Sequence, residues 1–124
     1  MLGPGITQET KMADSLKDLA LALDQFARER DWKPFHSPKN LAAALTVEAG
    51  ELLEHFQWMT EAESRHVSAE QRKEVGAEIA DVLLYLVQLS SELGIDPVQA
   101  AQEKLRVNAG RFPVAAGKTL LGGR

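Results

Sequence analysis

The chain has 124 residues, enough for one compact domain with a core of its own and too few for two. It holds no cysteine, which excludes disulfides and thiolate zinc sites. With neither a signal-peptide pattern nor an apolar run of membrane-spanning length, a soluble, cytoplasmic protein with no membrane partner is expected. Its 14 Lys+Arg against 18 Asp+Glu give a net charge of −4, which speaks against a nucleic-acid polymer as partner but not against a small anion held through metal.

The opening "MLGPGITQETK" has three structure-breaking residues in its first five and no amphipathic period, while Met12 begins a stretch that reads like a natural start. Residues 1–11 are therefore expected to be a flexible leader or an appended remnant, with the domain at 12–113 and a flexible tail at 114–124. In "SLKDLALALDQFARERDW", Leu16, Leu19, Leu23 and Phe26 recur at helical spacing behind Ser15, a natural N-cap. The prolines of "KPFHSPKN" end that helix, and Ser37-Pro38 offers a cap followed by a first helical position, so a second helix is expected from about residue 38 to about residue 59. A polar connector, "TEAESRHV", follows. Ser68 and Gln71 then have capping-box spacing at the head of the longest helix, which Gly94 stops. Asp96, Pro97 and Gln99 repeat that grammar for a fourth helix ending near Gly110. With no strand-like alternation, the pattern predicts an all-α, four-helix bundle-like fold.

Acids stand where apolar residues belong. On the second helix Leu41, Ala44, Leu45, Leu52, Phe56 and Met59 gather on one side, with Glu48 in the middle of that stripe and Glu51 at its edge. The third helix is apolar on nearly every side from Ile79 to Leu89, and Glu78 and Asp81 interrupt it. Residues three apart share a helix face, so two neighbouring helices carrying Glu48/Glu51 and Glu78/Asp81 can place four carboxylates around one small volume. Buried acids need cations, and an all-oxygen donor set suits Mg²⁺, or Mn²⁺ as a substitute. A carboxylate diiron centre would want Glu-x-x-His on two helices; the single such spacing, Glu63/His66, lies in the polar connector.

The ordered set "EAGELLEHFQW", "EIADVLLYLVQL" and "KLRVNAGRFP", together with "RDW" and "FHSPKN", resembles the all-α nucleoside triphosphate pyrophosphatases of the MazG-like group, and within them the dCTP pyrophosphatase branch. The resemblance spans residues 18–113. It implies a hydrolase that cleaves a nucleoside triphosphate between its α and β phosphates, releasing monophosphate and pyrophosphate, with dCTP or a modified dCTP as substrate in nucleotide-pool cleaning. It also implies Glu48, Glu51, Glu78 and Asp81 as Mg²⁺ ligands. Many relatives begin the first motif with two adjacent glutamates; the earlier position here is Val47.

Within that frame Glu48 is the expected general base. The resemblance brings Lys104, Asn108 and Arg111, at helical spacing on the fourth helix, to the phosphates, and Tyr85, one turn beyond Asp81, is a candidate for the same role. Stacking on aromatic faces is a general way to hold a nucleobase, and the resemblance assigns it to Trp32 and Trp58. His36 and Asn40 are candidates for polar contacts with base or sugar. The extensive apolar circumference of the third helix, with the habit of the related enzymes, predicts a homo-oligomer, a tetramer made from two dimers. Two other readings fit the same residues: a non-enzymatic helical oligomerisation or regulatory module, whose acids serve as interhelix pairs, and a pyrophosphohydrolase of another phosphorylated metabolite.

Overall fold

The computed structural model describes residues 15–114; the leader proposed at 1–11 and nearly all of the tail proposed at 114–124 lie outside the described residues. Among these residues five α-helices follow one another: α1 (Leu16–Glu29), α2 (Pro38–Glu54), α3 (Glu61–Ser64), α4 (Ala69–Glu92) and α5 (Pro97–Arg111), with a 3₁₀ turn (Lys33–Phe35) after α1. Among the described residues there is no strand, and no helix is long and apolar enough to cross a membrane. The chain divides into two units, one ending at Gly94 and one beginning at Ile95.

The expected caps form. Ser15 Oγ accepts from Asp18 N at 3.1 Å, and Ser37 Oγ accepts from Asn40 N at 3.1 Å ahead of Pro38. Ser68 and Gln71 close a reciprocal capping box, each side chain accepting from the other's backbone N–H. Gly94 leaves α4 at φ 69°, the left-handed conformation that favours glycine after a helix. Asp96 caps α5 by accepting from Val98 N and Gln99 N.

Two elements differ from the expectation. The second helix stops at Glu54 rather than near residue 59, because Phe56 N and Gln57 N both donate to Leu53 O and Met59 N donates to Phe56 O, which tightens the chain into turns although Phe56 and Met59 keep the apolar phase. In the polar connector, Thr60 and Glu63 form a second complete capping box and start the short α3.

In the first unit α4 packs against both α2 and α1. Its fully buried apolar residues come one from each helix: Ala27 on α1, Leu41 on α2 and Val87 on α4. Lys33 ties the ends together, donating to Glu92 Oε2 at 2.6 Å and pairing with Asp24 Oδ1 at 3.1 Å, while Arg28 Nε holds Asp24 Oδ2 at 2.6 Å. Arg28 and Lys33 hold the Asp24 carboxyl below its ordinary value, and Glu92 with Asp24 raises the Lys33 ammonium.

Candidate functional site

Packing α2 against α4 brings the interrupting acids together. Glu48, Glu78 and Asp81 each offer a carboxylate oxygen, and these three oxygens lie within 4.8 Å of one another. Glu48 and Glu78 are half-buried residues, and the Oε1 of each is enclosed without a hydrogen-bond partner. Enclosed carboxylate oxygens of like charge are costly to ionise unless a cation joins them. Burial, followed by the charges of Glu51 and Asp81 and then by Glu78, pushes the Glu48 carboxyl up to about 7. Glu51 thus lies close enough to act on Glu48, although its oxygens are not part of the trio. Hard, anionic oxygens at this spacing, on residues two of which also carry an unpartnered oxygen, fit a hard divalent cation. Val47 is 58% exposed, whereas its neighbour Glu48 carries the enclosed oxygen.

Asp81 also faces a second feature. A cavity of about 150 Å³ is lined by Leu23 and Phe26 of α1, by Trp32 and His36, and by Asp81, Leu84, Tyr85 and Gln88 of α4. That volume is roughly what one six-membered ring needs. The turn that delivers Trp32 is a Schellman closure of α1: Trp32 N donates to Ala27 O at 2.9 Å and Asp31 N donates to Arg28 O at 3.1 Å, with Asp31 at φ 57° where glycine is usual. Phe26 meets the Trp32 ring edge-on, with centroids 5.6 Å apart. His36 stands edge-on to Trp32 at 6.1 Å, and its Nδ1 lies 3.1 Å from Gln88 Nε2.

The sequence-derived candidates thus separate into three groups. Trp32, His36, Tyr85 and Asp81 meet in the cavity, and Glu48 and Glu78 meet Asp81 on the acidic side. Asn40 does not line that cavity; its Nδ2 donates to Phe35 O at 2.9 Å and braces the loop. Trp58, 88% exposed in the turns after α2, does not line it either. Lys104, Asn108 and Arg111 lie on α5 in the second unit, with Asn108 half-buried and the Arg111 guanidinium 5.2 Å from the Phe112 ring centroid. Sequence reasoning missed Leu23, Phe26, Leu84 and Gln88 as lining. Gln88 alone left a signal, a polar amide inside the apolar run and seven residues beyond Asp81.

The chain is 41% identical over 101 residues to dCTP pyrophosphatase 1 of Homo sapiens and 40% identical over 102 residues to that of Rattus norvegicus. These matches cover 80% and 81% of this chain, which spans only 59% and 60% of those relatives' length. A crystal structure of a pyrophosphatase from Archaeoglobus fulgidus superposes with a TM-score of 0.75 at 36% identity, covering 83% of this chain and 99% of the archaeal one. The sequence model of the MazG-like family matches residues 43–120, more than half of the chain and the whole stretch that carries Glu48, Glu51, Glu78 and Asp81; the chain belongs to the MazG-like family.

Proposed function

We propose that the chain hydrolyses a nucleoside triphosphate to the monophosphate and pyrophosphate, with dCTP or a modified dCTP as preferred substrate and Mg²⁺, replaceable by Mn²⁺, as its ion. The observation that carries this reading is Asp81, which belongs both to the acidic trio and to the lining of a ring-sized cavity. A base seated in the cavity has its phosphates beside the acids. The relatives named dCTP pyrophosphatase 1 support the substrate, and the archaeal pyrophosphatase supports the reaction class.

Glu48, Glu51, Glu78 and Asp81 are the proposed cation ligands. When bound, a divalent ion supplies neutralisation of phosphate charge and acidifies a nearby water. Glu48, crowded by Glu51, Asp81 and Glu78, is the proposed acceptor of the proton from the attacking water. Phe26 and Trp32 give the ring aromatic walls and Leu84 an aliphatic one, and Tyr85 stands on the same face of α4 one turn from Asp81. Lys104, Asn108 and Arg111 are the residues proposed to meet the outer phosphates, and Trp58 keeps its proposed stacking role. A homotetramer built from two dimers is the proposed assembly.

Phosphorus NMR on a panel of nucleoside triphosphates, with and without Mg²⁺, tests the reaction. The expected products are dCMP and pyrophosphate, formed only with the ion. Diphosphate nucleotide plus orthophosphate would overturn the assignment. Trp32→Ala is expected to weaken substrate binding by roughly 1–3 kcal/mol, the worth of one base stack. An unchanged Michaelis constant would make Trp32 a packing residue only.

A further inference from the structure

Gln88 and His36 form one polar pair in a cavity otherwise walled mainly by apolar and aromatic side chains. Their contact constrains both partners. In the amide orientation that sets Gln88 Nε2 3.1 Å from His36 Nδ1, the amide nitrogen donates, Nδ1 accepts and the imidazole carries its proton on Nε2. With one amide N–H of Gln88 spent on Nδ1 and the other left as a spare donor, the pair offers a ring edge Nε2–H of His36 as a donor and Oε1 of Gln88 as an acceptor. Neither atom has another hydrogen-bond partner among the described residues.

We propose that Gln88 is a specificity-determining residue: by setting the tautomer of His36 it makes the pair a donor and an acceptor that together match the edge of cytosine. The proposal rests on the nucleotide-hydrolase reading above and deepens it. Cytosine carries an unprotonated ring nitrogen beside an exocyclic amine, one acceptor and one donor. Uracil and thymine carry an N–H beside a carbonyl, the reverse order at both positions. A site built to hydrogen-bond a group rejects the analogue that leaves its own polar atoms unpaired, and here two mismatches arise at once. Stacking on Trp32 cannot make this distinction, since every base has a π face.

The test uses the full chain labelled with ¹⁵N-histidine, with His36 assigned by comparison with His36→Gln, and titrations of dCMP and dUMP into the unsubstituted protein and Gln88→Leu. The expected result is an Nε2-protonated His36 and a preference for dCMP of roughly tenfold or more that falls toward parity in Gln88→Leu. An Nδ1-protonated ring in the unsubstituted protein, or a variant that loses dCMP and dUMP binding equally, would overturn the proposal. The tautomer measurement needs no variant at position 88, so it stands even where Gln88→Leu fails to fold. Absence of triphosphate hydrolysis, with the binding preference intact, would sink the hydrolase reading and leave the edge-reading pair standing.

Discussion

Glu48 retains its proton to about pH 7 because its Oε1 is enclosed and because Glu51, Asp81 and Glu78 crowd it, whereas the ordinary value is 4.5. Between those two values the folded chain binds more protons at this position than the unfolded one. The cation-free protein should therefore lose stability as the pH rises through that window. Melting curves in EDTA from pH 4.5 to 8 measure it, and Glu48→Gln is expected to flatten the fall while abolishing turnover, since a neutral amide removes the repulsion together with a proposed ligand and base. Added Mg²⁺ should reverse the trend, raising Tm most above pH 7, where the carboxylates are ionised before the ion arrives. A variant that unfolds in EDTA would give Glu48 a structural role instead. These acids were legible in the sequence because a charge inside an apolar stripe has few explanations. Gln88 left only a faint mark, since an uncharged amide among apolar neighbours signals little until its partner, 52 residues away in sequence, is seen beside it.

Among the elements, the turn between α1 and α2 sets the cavity wall, and its geometry depends on one left-handed residue. Asp31 at φ 57° occupies the position where glycine carries no steric penalty, so Asp31→Gly should preserve the turn and raise Tm slightly. Asp31→Val should lower stability by about 1–2 kcal/mol and displace Trp32, read as melting temperature and as indole fluorescence. Lys33 closes the same region by joining Asp24 and Glu92. The lowered Asp24 pKa makes its share of that network present above 3.8 and lost as the pH falls through the folded value. The raised Lys33 pKa makes its share present below 10.5 and lost as the pH climbs through the folded value. The network is thus complete across the neutral range, and Lys33→Met should destabilise most at low salt, because all three side chains are partly exposed. Caps made the starts of α1, α2, α4 and α5 readable. The early end of α2 was not, because Phe56 and Met59 continue the helical phase while the backbone bonds have already shifted to turns.

At the scale of the whole molecule, apolar side chains stay open to solvent on the two helices that carry the acids. Ile79 and Leu86 lie seven residues apart on α4 and are 52% and 41% exposed, and Val47 and Leu53 on α2 are similarly open. Surface of this kind is what the proposed homo-oligomer would cover. The proposed homo-oligomer should appear in light scattering as a multiple of 13.6 kDa, and Leu86→Lys should shift it toward smaller species. A concentration-independent monomer would overturn that assembly. The sequence predicted the excess of apolar circumference on the longest helix, but periodicity cannot say which side a neighbour takes. Asp81, shared by the acids and the ring cavity, has a further consequence. On the proposed reading the binding of the base and the cutting of the phosphate chain are not separate decisions, because one carboxylate is common to both. The site then works as a gauge: a ring that seats too shallowly carries its α phosphate past the acids, so poorly fitting bases are refused by misregistration as well as by weak contact. Purine triphosphates should accordingly lose kcat as well as raise KM, and lengthening the link between base and phosphate should do the same to a cytosine nucleotide.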